Sequence, residues 1–340
     1  MSPEDTSNIP RPLTILVSRQ ASDAFGAQIA ELMCKQRYRL NTLEQQPNAQ
    51  GSYDANVAFL SRDVTGNSGK TQLAPTLLRF YEIIRASPNL ALIQMSASGA
   101  DRPIYAEMRA RGVQVCTSSG ANSGPVAQMA VTGLLMLARR MPELLDSQRR
   151  HAWEPLLGER APVDLKHQTA LVVGLGPIGK EIVRLLRAIG MRVLGARRGD
   201  EQEPAVEETF SFSNLDLALP RADWVVLACP LTTLSRGLLD ARRMALLPQG
   251  ARVINIARGE VLVEQDLVAA LRSGKLGGAY LDVLQSEPLP ADSPLWQVPN
   301  LIITPHTAGH TAGMYAAVGE LFLDNLRRFC EGRTLRNALA

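Results

Sequence analysis

The sequence predicts a two-domain α/β protein, on three observations. Short apolar strands alternate with amphipathic helices along most of the 340-residue chain, the pattern of parallel sheets covered by helices. In the second half, Thr169–Val173 reads as a buried strand. Gly174, Gly176 and Gly179 follow at G-x-G-x-x-G spacing, then a helical run with Ile178, Ile182, Leu185, Leu186 and Ile189, then a strand over 191–196. Strand, glycine turn, helix and strand in that order open a Rossmann-type, doubly wound nucleotide domain. The alternation that precedes it is long enough for a second, smaller, flavodoxin-like α/β domain.

Taken in order, residues 1–12 are rich in Pro, Ser and Asp and read as a loose tail. Strands are expected over 13–18, 38–43, 56–60, 90–95 and 113–116, with helices over 25–34, 73–86 and 103–109. The polar, Gly-containing stretch 61–71 reads as a loop. Residues 96–101, SASGAD, stand after a strand, where open α/β sheets place ligands. Their small side chains could expose backbone N–H groups as a nest for a carboxylate. The same stretch equally reads as an ordinary βα turn with Asp101 capping the next helix.

Gly124 and Pro125 open a long helix, proline being tolerated in the first turn. Its dense apolar run over 126–137 predicts burial on several sides. Beyond its polar end, Trp153 reads either as a core anchor or as a residue at the mouth of a site. After the nucleotide signature comes an acidic surface stretch, 201–208, then a short helix over 215–219 and a buried strand over 224–228. Cys229 and Pro230 end that strand at the height of a bound cofactor. Strands are expected over 252–256, 278–283 and 301–304. Helices are expected over 261–272, with Glu264 and Asp266 early and Arg272 late, the favourable polarity, and over 308–330.

The three glycines have separate tasks. Gly174 permits the tight turn, Gly176 lets the backbone approach a pyrophosphate, and Gly179 lets helix and strand pack closely. The helix N-terminus adds free N–H groups for the phosphates. An acidic residue at the end of the second strand would hold the ribose hydroxyls of NAD(H), but this chain has Arg197 and Arg198, with Asp200 slightly late. Guanidinium groups pair with a 2′-phosphate in a forked geometry, so NADP(H) is expected. NAD(H) stays possible if Asp200 or a backbone group holds the ribose.

Arg258, Glu287 and His306 each lie just beyond a predicted strand end in this half. In a parallel sheet those ends share one side with the nucleotide. Arg258 would hold a substrate carboxylate and polarise its carbonyl. His306 would carry the proton to or from the carbonyl oxygen, and Glu287 would orient the imidazole. His306 and His310 are four apart, but the loop lacks the dense Cys/His/Asp cluster of a zinc site.

Composition excludes other classes. Apolar residues make up 46% and charged residues 20%, with a net charge of +3, which gives no reason to propose nucleic acid or an anionic membrane surface as partner. Cys34, Cys116, Cys229 and Cys330 are far apart and form no CxxC pair, which fits a reducing compartment. The N-terminus has no signal-like apolar region, so the expected location is the cytoplasm.

With VVGLGPIGKEIVRLLRAIGMRVL, PLTTLSRGLLD, VINIARGEVLVEQDL, KLGGAYLDVLQSEPLP and LIITPHTAGHT on the page, the chain resembles the D-isomer-specific 2-hydroxyacid dehydrogenase family, which includes glyoxylate and hydroxypyruvate reductases. The resemblance implies hydride transfer between NADP(H) and a 2-oxoacid/D-2-hydroxyacid pair. It gives catalysis to Arg258, Glu287 and His306, the carboxylate grip to Ser98, Gly99 and Ala100, and cofactor contacts to Gly176, Pro177, Ile178, Pro230, Ala257 and Asp282. It implies a substrate and catalytic domain of residues 1–118 plus 310–340, an NAD(P)-binding domain of 119–309, and a homodimer formed through the nucleotide domains. Two departures stand out: Arg197 at the acidic ribose position, and Val126-Ala127-Gln128 where Val-Ala-Glu is common. Some relatives are dinucleotide-sensing corepressors, but a complete Arg, Glu and His set favours an enzyme.

Overall fold

The computed structural model describes residues 12–66, 68, 73–100 and 102–339. Residues 1–11 of the expected tail, the Asp101 cap, and residues 67 and 69–71 of the expected loop lie outside the described residues. The chain divides into two compact units, one running to Ala121 and resuming at Ala312, the other Asn122–Thr311. The sequence reading puts these breaks at 118 and 309.

The first unit contains β1 (Leu13–Leu16), α1 (Arg19–Leu32), β2 (Tyr38–Asn41), β3 (Val57–Leu60), α2 (Arg62–Thr65), α3 (Pro75–Arg85), β4 (Leu92–Met95), α4 (Pro103–Ala110) and β5 (Gln114–Cys116). The five strands pair in parallel in the order β2-β1-β3-β4-β5, the flavodoxin-like arrangement. α1 starts well before the expected residue 25 because Ser18 caps it, accepting from the Ala21 N–H at 2.9 Å. Ala21, Phe25 and Ile29 then recur every fourth residue on its buried face. The single turn of α2 corrects the expectation of a plain loop there.

The second unit contains α5 (Ser123–Ala138), α6 (Met141–Arg149), β6 (Thr169–Val173), α7 (Pro177–Ala188), β7 (Arg192–Arg197), β8 (Thr209–Ser211), α8 (Leu215–Ala218), β9 (Trp224–Leu227), α9 (Ala241–Leu246), β10 (Ala251–Asn255), α10 (Glu264–Arg272), β11 (Leu276–Leu281) and β12 (Leu301–Ile303). Its seven strands run in the order β12-β11-β10-β9-β6-β7-β8, every pair parallel. The pleat of β6 sends Ala170 and Val172 into the layer with Val126 of α5 and Ile182 of α7. It sends Leu171 and Val173 into the layer with Leu215, Met244 and Leu267 of α8, α9 and α10. Helices thus cover both faces, as a doubly wound sheet requires.

Several expectations need correction here. β8 lies in a stretch read only as acidic surface and its flank. The long apolar helix stops at Ala138, and Arg140, at φ 52°, turns the chain into α6. Trp153 is 97% exposed and is not a core anchor. α10 begins at Glu264 and not at the expected 261, because a tight turn at Gly259–Val261 comes before it. The last helix, α11 (Met314–Cys330), begins later than residue 308 because the chain after His306 is a series of turns.

α11 belongs to the first unit. Its Val318, Phe322 and Leu326 pack with Ile15, Val57 and Phe59 of the sheet, and the Phe322 and Phe59 rings stack with centroids 4.3 Å apart. The chain then runs antiparallel beside β5. Cys116 bridges Ala338, the Thr117 N–H donates to the Asn337 carbonyl at 3.0 Å, and the Leu339 N–H donates to the Val115 carbonyl at 2.9 Å. That pairing covers a sheet edge that would otherwise offer open backbone groups.

Candidate active site

Because the seven strands are parallel, their C-terminal ends share one edge. Along it stand His306 after β12, Asp282 and Glu287 after β11, and Ala257 and Arg258 after β10. Cys229 and Pro230 follow after β9, the glycine turn after β6, and Arg197 at the end of β7. With neighbouring strands about 4.8 Å apart, the ends of β7 and β10 are separated by three spacings, roughly 14 Å. The strand order reverses between β6 and β9, and the crevice at such a switch point is where doubly wound sheets bind ligands.

The glycine turn is built for close approach. Gly174 has φ 104°, and a Cβ there would sit 2.6 Å from the backbone of Ala228 and Cys229. A Cβ on Gly179 would sit 1.8 Å from the Gly174 carbonyl oxygen, so helix α7 can seat only against a bare backbone. Gly176 is the N-cap of α7 and faces open space, with no heavy atom within 4 Å of a built Cβ. Pro177, which has no N–H, and Ile178 open the first helical turn, whose remaining N–H groups lack intrahelical carbonyl partners. These residues fit a dinucleotide pyrophosphate at the helix N-terminus. Farther along the edge, half-buried Arg197 pairs with Glu201 at 2.8 Å, while Arg198 and Asp200 are exposed. Burial pushes the Cys229 thiol up to about 12, which makes it a neutral wall and not a nucleophile. Pro230 is fixed by its carbonyl, which accepts from the Ser235 hydroxyl at 2.6 Å.

The candidate side chains stand on turns that brace one another. Glu287 Oε2 lies 2.8 Å from His306 Nδ1, and its Oε1 accepts from the Leu284 N–H at 2.9 Å. A carboxylate can only accept, so Nδ1 carries the hydrogen and Nε2 takes no part in this contact. Half of the His306 side-chain surface is exposed, against 19% for Glu287. His306 has φ 50°, a left-handed conformation that costs energy outside glycine. Asp282 holds it: its carbonyl accepts from the His306 N–H at 2.8 Å. Its buried carboxylate accepts from Thr304 Oγ1 at 2.6 Å, Thr307 N at 2.9 Å and Ala308 N at 3.0 Å. Tyr280 donates its hydroxyl to Thr304 at 2.7 Å, and burial pushes its phenol up to about 12, so it stays protonated. His310 lies 3.2 Å from the Thr307 hydroxyl. Arg258 donates from Nη1 to the Ala257 carbonyl at 2.7 Å.

Ser98, Gly99 and Ala100 are half-buried and belong to the other unit, following β4. The turn they start from is fixed by Ser118, whose N–H donates to the Ala97 carbonyl at 2.9 Å and whose hydroxyl donates to the Met95 carbonyl at 2.5 Å. The sequence reading missed the supporting residues Asn255, Thr304, Tyr280 and Ser235. Asn255 had a visible signal, an amide inside the apolar run of a buried strand.

The family model for the D-isomer specific 2-hydroxyacid dehydrogenase NAD binding domain matches residues 131–308. Human glyoxylate reductase/hydroxypyruvate reductase is 31% identical over 284 residues, covering 82% of this chain and 86% of that protein. D-3-phosphoglycerate dehydrogenase of Archaeoglobus fulgidus is 30% identical over 260 residues. The match takes in 76% of this chain but only 49% of that protein, so the chain spans about half the length of this relative. Among solved structures, a D-isomer specific 2-hydroxyacid dehydrogenase from Xanthobacter autotrophicus Py2, in complex with NADPH and MES, superposes with a TM-score of 0.76. It is 26% identical, with 97% of this chain and 98% of that one covered.

Proposed function

The chain belongs to the D-isomer specific 2-hydroxyacid dehydrogenase family, and from that premise we propose that it is an NADPH-dependent reductase of small 2-oxoacids, with glyoxylate or hydroxypyruvate the first substrates to try. The observation that carries this reading is the 2.8 Å Glu287–His306 pair, on turns after β11 and β12, beside Arg258 after the adjoining β10. A proton carrier backed by a carboxylate favours an enzyme over a dinucleotide-sensing binding protein.

When bound, the nicotinamide supplies hydride to the substrate carbonyl carbon. Arg258 holds the substrate carboxylate and polarises the carbonyl through charge-assisted hydrogen bonds. His306 donates the Nε2 proton to the carbonyl oxygen, and takes it back in the oxidative direction. Glu287 keeps the imidazole turned with Nε2 outward and offsets the positive charge of the protonated ring. Ser98, Gly99 and Ala100 are the proposed second grip on the carboxylate. The part running to Ala121 and resuming at Ala312 is the proposed substrate and catalytic domain, and Asn122–Thr311 the NAD(P)-binding domain.

For the cofactor, Arg197 and Arg198 support NADP(H) over NAD(H), as does the NADPH held by the Xanthobacter relative. The Arg197–Glu201 pair is exposed on the glutamate side, 78%, and such pairs are weak enough for a 2′-phosphate to displace the carboxylate. A homodimer through the nucleotide domains and a cytoplasmic location complete the proposal. Among the described residues no helix is long and apolar enough to cross a membrane. The test is NADPH oxidation by the purified protein with glyoxylate, hydroxypyruvate, pyruvate and bulkier 2-oxoacids. Tight NADPH binding without turnover across that panel would refute the enzyme reading in favour of a sensor.

A further inference from the structure

We infer that Asn255 is a positioning residue for Arg258, and that through it the arginine is held in register with the Glu287–His306 pair; the inference rests on the functional reading above. Asn255 is the last residue of β10 and is completely buried in the middle of the sheet. A primary amide there is costly unless its donors and acceptor are used. Both ends are spent on the turn that carries the arginine. Oδ1 accepts from the Ala257 N–H at 3.1 Å, and Nδ2 donates to the Arg258 carbonyl at 3.0 Å. The amide therefore grips the peptide units on both sides of the Ala257–Arg258 bond, and the guanidinium folds back on the Ala257 carbonyl at 2.7 Å.

The residue after the arginine extends this grip. A Cβ on Gly259 would lie 2.0 Å from the Leu284 carbonyl carbon and 2.2 Å from the Gln285 nitrogen, so the two turns touch backbone to backbone. The Leu284 N–H is the one that Glu287 Oε1 accepts, and the Gln285 N–H donates to Glu264 Oε1 at 2.5 Å. The order of contact is Asn255, the arginine turn, Leu284 and Gln285, Glu287, then His306. An apolar residue at position 255 would satisfy the strand as well as its neighbours Val253 and Ile254 do, and the turn alone would lose its support. A placement error on the order of 1 Å at a reacting group costs up to about 100-fold in rate.

The experiment is a double-mutant cycle between Asn255→Ala and Arg258→Ala in the full chain. It reads kcat/KM for glyoxylate, hydroxypyruvate and pyruvate, with NADPH affinity by fluorescence titration. N255A should lose at least tenfold in kcat/KM while its NADPH Kd stays within twofold. In the R258A background the same change should cost less than twofold, because the residue through which it acts is gone. A merely structural role would produce the same loss in both backgrounds. That result, or an N255A protein within twofold of the parent, overturns the inference. Asn255→Asp keeps the shape and the acceptor but not the donor; it carries the same cycle should N255A fail to fold. An R258A protein as active as the parent would overturn the functional reading, and the inference with it.

Discussion

Replacing His306 by Asn separates the proposed proton transfer from the other contacts of this residue. The amide nitrogen of Asn, like Nδ1, is bonded to Cγ, so the 2.8 Å contact to Glu287 can be kept as an amide donor. Asn also tolerates the left-handed backbone at φ 50°. What is lost is Nε2, and no amide carries a proton at neutral pH. General acid–base catalysis contributes about 100- to 10,000-fold, or roughly 3 to 5 kcal/mol of barrier. Turnover in H306N should fall by about that much, with NADPH affinity within about twofold and thermal stability near that of the parent. His306→Ala adds a second effect. Histidine already bears the left-handed strain, so the added effect is loss of the 2.8 Å contact to Glu287, worth about 1 kcal/mol, which lowers Tm by about 2–4 °C in a unit of this size. Steady-state kinetics, NADPH titration and thermal melts on the two variants separate these contributions. A folded H306N protein turning over within tenfold of the parent would refute the proton-carrier assignment. His310 would then be the next candidate, followed by His151.

Catalytic efficiency with NADPH should exceed that with NADH at a fixed 2-oxoacid concentration, and replacing Arg197 and Arg198 together by Ala should remove roughly tenfold or more of the NADPH efficiency while sparing NADH. Equal efficiencies in the parent protein would sink the 2′-phosphate reading. Stability should also fall at alkaline pH. Burial holds the Cys116 thiol at about 11, and the Cys229 thiol and Tyr280 phenol at about 12, above unperturbed values of 9.0 and 10.0. Raised pKa values give a contribution that is whole below about pH 9 and is lost as pH climbs towards 12. Melting temperatures from pH 8 to 11 should therefore decline, and less steeply in a C116A/C229A protein; an unchanged slope in that variant would count against the burial argument.

The nucleotide half was legible because its signals are local and mutually consistent. Thr169–Val173 is a strand with the bounds read from its apolar run, and the glycine spacing that follows allows little besides a turn into α7. Signals that depend on distant partners were less legible. β8 is three residues long and gains its hydrogen bonds only by lying beside β7, so nothing in its own residues marks it. The start of α1 is marked by Ser18, a capping residue, where apolar periodicity alone points to Phe25. The delayed start of α11 has no such mark, since it depends on Asp282 collecting donors from Thr304, Thr307 and Ala308 across the sheet edge. Trp153 shows the opposite limit: aromatic character alone does not say whether a side chain faces a core or water. In the site, residue types at strand ends pointed to Arg258, Glu287 and His306, but the Glu287–His306 distance and the brace at Asn255 are tertiary facts.

The return of α11 to the first sheet has a consequence for the order in which the chain can mature. As the polypeptide leaves the ribosome, Asn122–Thr311 is continuous and can complete its seven-stranded sheet without waiting for anything later. The five-stranded sheet cannot do the same. Ile15, Val57 and Phe59 are covered only in part, by Ala21, Phe25 and Ile29 of α1, until Val318, Phe322 and Leu326 have been synthesised, and the edge of β5 stays open until residues 337–339 arrive. The unit that begins ahead of Asn122 is thus completed after the one that follows it, and during that interval its half-covered aromatic face and open strand are the surfaces that a nascent-chain chaperone would have to shield.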